Sequence, residues 1–167
     1  SSKCCLLHGG VGSGKTSSVY AVANELNLEL IEMNASDFRN KDMIESFLGT
    51  AINQQSLFFK SKIILVDEID GISGTKDRGG LQAITKLLDK STYPIICTVN
   101  DAYDQKLSSL RKKCYIVEFS TLDYRTIANN LKRILDNEGC KSEEDALKAL
   151  ARKAGGDMRA CINDLQT

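Results

Sequence analysis

A chain of 167 residues with 22 basic and 22 acidic side chains carries no net charge. That excludes a surface broadly coated for nucleic acid, so any DNA contact must be a local patch or the work of an assembly. The length suits one full domain, or one with a small appendage, and the 42% hydrophobic content is that of a globular protein with a buried core.

Residues 3–8, around the apolar run Cys4-Cys5-Leu6-Leu7, read as a fully buried strand. Gly9-Gly10-Val11-Gly12-Ser13-Gly14-Lys15-Thr16 follows, with the spacing G-x-x-x-x-G-K-T. Apolar residues at helical spacing then predict a helix over 15–27. Glycines let successive N–H groups turn inward on an anion, and a helix start adds further donors and the positive end of its dipole. Lys15 would reach the terminal phosphates and the Thr16 hydroxyl would ligate Mg²⁺. The rival reading is a glycine turn with no ligand, to which Lys-Thr at this spacing adds nothing.

Glu29 to Met33 alternates and reads as a second strand, ended by Asn34-Ala35-Ser36-Asp37. Asn40 is placed to cap a helix whose apolar face is Met43, Ile44, Phe47, Leu48, Ala51 and Ile52. Lys62 to Asp70 holds a third strand with Asp67 and Glu68 at its C-terminal tip, the edge at which open parallel sheets place ligands. Asp67 would hold Mg²⁺ opposite Thr16, and Glu68 would activate the attacking water. Alone, such acids are more often solvated strand ends.

A loop from Gly71 to Gly80 leads to a helix with Leu81, Ile84, Leu87 and Leu88 on one face. Pro94 to Asn100 reads as a fourth buried strand with a polar tip. Asn100 would bond the γ-phosphate and the water, or with Asp101 it simply makes a turn. A polar, basic segment precedes a fifth strand over 115–119. Beyond Asp123 the pattern is helical: one helix closed by Gly139, a second with Ser142 and Asp145 as a capping box and its end at Gly155, and a third capped by Asp157. Arg159, one turn into that last helix, would reach a γ-phosphate or would lie solvated on the surface.

Six cysteines stand at 4, 5, 97, 114, 140 and 161, none as C-x-x-C, beside one histidine. This argues against a zinc site and for reduced thiols, with those at 4, 5, 97 and 114 in or beside buried strands. No signal peptide, transmembrane span or lipidation motif is visible, so no membrane partner is expected. The chain opens almost on its first strand and stops within a helical pattern, as a fragment of a longer protein would.

Together these motifs resemble the AAA+ ATPases, and within them the clamp-loader branch, from Leu6 to Gln166. The phosphate loop and Asp67-Glu68 are widely shared among ATPases. Asn34-Ala35-Ser36-Asp37 and Gly155-Gly156-Asp157-Met158-Arg159-Ala160, continuing to Asn163-Asp164-Leu165-Gln166, are narrower. Asp70-Gly71 through Asp77-Arg78-Gly79-Gly80 resembles clamp-loader large subunits. The resemblance implies an α/β fold: a P-loop AAA+ core over 1–120 with a parallel five-stranded sheet in the order 5-1-4-3-2 flanked by helices, and a small helical lid over 121–167. ATP would sit between the two, with Asn100 as sensor 1 and Arg159 as sensor 2. Asn34 would be a switch residue that holds Glu68 off its water. Implied partners are the small subunits, a sliding clamp and primer-template DNA, in the cytoplasm of an archaeon or similar cell (the nucleus of a eukaryote).

The chain departs from the family pattern in three places. The loop has Gly-Gly-Val-Gly for Gly-Pro-Pro-Gly, which loses rigidity but no backbone donors. Lys112-Lys113-Cys114 stands where small subunits carry Ser-Arg-Cys, and lysine offers no bidentate fork. The arginine finger for this site is therefore expected from a neighbour, with Arg111 a weak substitute. The segment that lines the adenine pocket in the family is missing. Leu57, Phe58 and Phe59 are read either as anchors in a clamp pocket or as core at the foot of the third strand. Lys76 and Arg78 are read as DNA phosphate contacts or as solvated loop charges. Rival readings are another AAA+ ATPase of DNA metabolism, of helicase or origin-binding type, a structural subunit that binds ATP without hydrolysing it, and a small-molecule kinase.

Overall fold

A computed structural model describes residues 4–37, 41–53, 61–72 and 79–166. Contacts divide the chain into a sheet unit, up to His8 and from Lys15 to Glu118, and a helical unit, Gly9–Gly14 with the chain from Phe119 onward.

In chain order the sheet unit begins with β1 (Cys4–Gly9), α1 (Lys15–Glu25) and β2 (Glu29–Asn34). It continues with α2 (Lys41–Asn53), β3 (Lys62–Asp67), α3 (Gly80–Lys90), β4 (Ile95–Val99), the short α4 (Ser108–Arg111) and β5 (Tyr115–Phe119). The sheet order is β2-β3-β4-β1-β5, the expected order read from the other edge. The pairings β2–β3, β3–β4 and β4–β1 are parallel. Strands covered on both faces read as continuous apolar runs. So all six residues of β3 are buried, while β2, on an edge, buries only Met33. Leu6, Ile64, Val66, Cys97, Val99 and Ile84 meet in one core.

α1 stops two residues before the expected end. Asn27 takes φ 51°, and the N–H of Leu28 reaches back to the Ala23 carbonyl at 2.8 Å, the signature of a left-handed C-terminal cap. Of the apolar face expected for α2, Ile44 is buried and Phe47 packs on the core, but Met43 lies exposed. The side chains of 48, 51 and 52, and Asn40, lie outside the described residues. The segment before β5 is not simply polar. A 3-10 turn over Gln105–Leu107 and α4 bury Leu107 and Leu110, two leucines too sparse to show a period. Cys4 and Cys97 are buried as expected, yet Cys5 and Cys114 are only partly so. Cys114 Sγ lies 2.7 Å from Cys4 Sγ, and that contact together with burial holds the Cys114 thiol far above its usual range.

The helical unit holds α5 (Tyr124–Asn137), α6 (Glu144–Lys153) and α7 (Met158–Leu165), closed on Ile127, Leu131, Leu147, Ala151 and Cys161. Asp123 caps α5 and Asp157 caps α7 with their side chains. The expected capping box on α6 is absent. Glu143 is the cap residue and makes no side-chain cap bond, so α6 relies on Glu144 and Asp145 against its helix dipole. No helix of the described residues is long and apolar enough to cross a membrane.

Candidate nucleotide site

Parallel register carries the polar ends of β3 and β4 to one edge of the sheet. There Thr16, in the first turn of α1, donates its hydroxyl to Asp67 at 3.0 and 3.2 Å. Lys15 donates to Asn100 Oδ1 at 3.5 Å. Asn34 donates to Glu68 Oε2 at 3.4 Å. Its amide is turned that way because its own oxygen accepts from the Ser36 N–H at 3.0 Å and the Ser36 hydroxyl at 2.7 Å. This is an Asx turn, and it gives Asn34-Ala35-Ser36-Asp37 a local physical purpose. The expected residues Lys15, Thr16, Asp67, Glu68 and Asn100 thus come together in the sheet unit.

Two further residues complete this edge. The Asp70 carboxylate accepts from the Asn100 side chain at 2.6 Å and its backbone N–H at 3.2 Å. Thr98, 1% exposed, donates to Asp67 and accepts from the Glu68 N–H at 3.0 Å. A single hydroxyl inside an otherwise apolar strand was the available signal for Thr98, but nothing local says which strand it faces. Glu68 has φ 54°, an uncommon conformation for a residue with a side chain and one that stores strain.

Oxygen donors of this kind suit Mg²⁺. Among the described residues no group of three or more His, Cys, Asp or Glu gathers as a metal cage. A metal here would rest on the Asp67 carboxylate, the Thr16 hydroxyl and the oxygens of a ligand, the way Mg²⁺ is held on phosphates.

The glycine loop belongs to the helical unit. Gly12 sits at φ 67° against Asp157, where a Cβ would meet the carboxylate, and its carbonyl accepts from the Met158 N–H at 3.3 Å. Gly9 likewise leaves no room for a Cβ beside the Phe119 carbonyl. Gly10, Val11 and Gly14 are exposed, and Ser13 is buried with its hydroxyl unpartnered among the described residues. Arg159, the second residue of α7, is exposed. A cleft of about 620 Å³ between α5 and α6, lined in part by Tyr124, Arg125, Lys148 and Arg152, holds none of the expected site residues.

Arg111 is engaged elsewhere in the sheet unit. Its guanidinium donates to the Ala102 carbonyl at 2.7 Å and stacks 5.4 Å from the Tyr103 ring. Leu57, Phe58, Phe59, Lys76 and Arg78 lie outside the described residues.

Residues 5–122 match the family described as "ATPase family associated with various cellular activities (AAA)". The chain belongs to this AAA family. Residues 126–163 match the "DNA polymerase III clamp loader subunit, ATPase lid domain", which puts it on the clamp-loader branch. It is 50% identical over 165 residues to the replication factor C large subunit of Nanoarchaeum equitans, covering 99% of this chain and 38% of that protein. The protein of the same name from Staphylothermus marinus is 49% identical over 166 residues, 99% of this chain and 39% of its own. That of Thermofilum pendens is 48% identical over 168 residues, 100% of this chain and 41% of its own. The chain therefore spans about two fifths of the length of these relatives.

Proposed function

We propose that the chain is the ATP-binding and hydrolysing AAA+ module of a clamp-loader large subunit, which opens a DNA sliding clamp and loads it on primer-template DNA. The family, the relatives' names and the clamp-loader type of lid support this reading. The observation that carries its chemistry is the pairing of Thr16 with Asp67 across 51 residues of sequence, beside Glu68 and Asn100. A solvated strand end has no reason to be so furnished.

In this reading residues 1–120 form the nucleotide-binding core and 121–167 the lid. The backbone N–H groups from Gly9 to Gly14 and the Lys15 ammonium cradle the phosphates. Thr16 and Asp67 hold Mg²⁺, which when bound would neutralise charge on the β- and γ-phosphate oxygens. Glu68 takes the proton of the attacking water once Asn34 releases it. Asn100 orients that water and the γ-phosphate, and Arg159 carries the state of the γ-phosphate to the lid.

The finger for this site comes from a neighbouring small subunit. This chain returns none, since Lys112 and Lys113 stand at the matching place and Arg111 is bonded within its own fold. Leu57, Phe58 and Phe59 are the candidate clamp contacts, Lys76 and Arg78 the candidate DNA contacts, and the setting is intracellular. The test mixes full-length protein with small subunits, a sliding clamp and primed DNA. ATP turnover is expected to rise with DNA and clamp together. Turnover indifferent to both would move the chain to another class of AAA ATPase, and ATP binding without turnover would make it a structural subunit.

A further inference from the structure

β4 contributes one hydroxyl to the sheet's interior, and its surroundings are specific. Register pairs Val66 with Cys97, so the next residues along, Asp67 and Thr98, stand beside each other at the polar edge. Thr98 is 1% exposed. Its hydroxyl has one proton and two lone pairs. The proton goes to Asp67 Oδ1, and a lone pair takes the Glu68 N–H at 3.0 Å. Asp67 Oδ1 also accepts from Thr16 at 3.0 Å, so two hydroxyls converge on one carboxylate oxygen.

Two consequences follow. The direction in which Asp67 presents its oxygens is set, besides Thr16 of α1, by a group on the neighbouring strand that cannot turn to solvent. The left-handed backbone of Glu68, φ 54°, is pinned at both ends: its N–H on Thr98, and its carbonyl by the Gly71 N–H at 2.9 Å. A residue held in so sparse a conformation needs such anchors.

We propose that Thr98 is a positioning residue: its buried hydroxyl fixes the metal-side carboxylate of Asp67 and the backbone of Glu68 as one unit. This rests on the ATPase reading above. Ligand-orienting groups of this kind typically cost 10–100-fold in metal affinity or activity when removed. Valine has the shape of threonine without the hydroxyl, and serine has the hydroxyl without the methyl.

The experiment compares wild type, Thr98→Val, Thr98→Ser and Thr98→Ala in the full-length assembly. It titrates Mg²⁺ against binding of a fluorescent ATP analogue, repeats the binding in EDTA, and follows turnover separately. For Thr98→Val the Mg²⁺ needed for half-maximal binding is expected to rise about tenfold and turnover to fall about 10–100-fold. Affinity in EDTA should be unchanged, and Thr98→Ser should recover most of both losses. Unchanged Mg²⁺ dependence in Thr98→Val overturns the proposal, as does a serine variant no better than alanine, which would leave only packing. If the valine variant does not fold, serine against alanine decides by the same rule. A wild type that shows no Mg²⁺-dependent ATP binding sinks the ATPase reading itself, and is seen before any variant is compared.

Discussion

The two units order their polar side chains in opposite ways. At the sheet edge, Thr98 reaches Asp67 across 31 residues of sequence, Asn34 reaches Glu68 across 34, Thr16 reaches Asp67 across 51 and Lys15 reaches Asn100 across 85. In the helical unit most side-chain hydrogen bonds of the described residues are local, such as Thr126 to Asp123, Asn130 to the Thr126 carbonyl and Ala160 to Asp157, as is the Lys148–Glu144 ion pair. Local bonds form with the helix that carries them. The sheet edge exists only once β2, β3 and β4 are in register and α1 is packed beside them, so its geometry reports on the whole sheet unit. Chemistry that needs angstrom placement is better built on that edge.

Glu68→Gln is the sharpest way to separate placement from stability. The change keeps the shape and the left-handed backbone but removes the base. Turnover should fall by roughly 10²–10⁴-fold with ATP binding kept and clamp trapped on the loader. Normal turnover would take the base role away from Glu68. Next come the cores. Leu65→Ala in β3 and Leu131→Ala in α5, both wholly buried, should each cost about 2–5 kcal/mol. Amide exchange should show Leu65→Ala loosening the sheet edge along with its strand. Leu131→Ala should open α5, α6 and α7 first. Equal loss of protection in both variants would erase the distinction between the units.

The same contrast explains what could be read from sequence. The helices after Asp123 announce themselves by caps and spacing, because those signals are local. The strands were legible for another reason: burial on both faces leaves β3 with four apolar residues in a row, Ile63 to Val66, between Lys62 and Asp67. The order of the sheet came only through resemblance to a family. The meeting of Thr16 with Asp67 followed from pairing the phosphate loop with the acidic strand tip, since no periodicity links positions 51 residues apart. Thr98 and Asp70 went unassigned on the same ground. Their partners lie on other elements, and neither residue type is unusual where it stands. The α6 cap failed for a smaller reason. Ser142 and Asp145 have suitable chemistry, but the helix starts one residue later, at Glu144, so the spacing no longer fits.

Arg111 lies between the two regimes, bonded nine residues back to Ala102 and stacked on Tyr103, whose ring stands perpendicular to that of His8 with centroids 5.5 Å apart. Arg111→Ala should lower stability by about 1.5–3 kcal/mol, the range for a hydrogen bond to a charged group. If Arg111 acts only within its own fold, the ATP turnover of a neighbouring subunit should not change. A large loss there, with this chain still folded, would make it a finger after all and would undo the reading of Lys112-Lys113.

The smallest expected effect is the most local one. Asp123 accepts from the Thr126 hydroxyl at 2.6 Å, and from the N–H groups of Thr126 and Arg125 at 3.1 and 2.8 Å. Led by the Thr126 side chain, these donors hold its carboxyl below the usual carboxylate range. The unfolded chain then binds more protons than the folded one as pH drops, so this contribution is present above the unfolded value, near 4, and is lost as pH falls through the lower folded one. Asparagine still caps but carries no charge. The urea midpoint of Asp123→Asn should therefore lie slightly below wild type at pH 6, and the gap should close toward pH 3. Salt should narrow it too, because the group is fully exposed. A gap that stays constant from pH 6 to pH 3 would mean that the cap's charge contributes nothing. The Asp123 cap would then act by geometry alone.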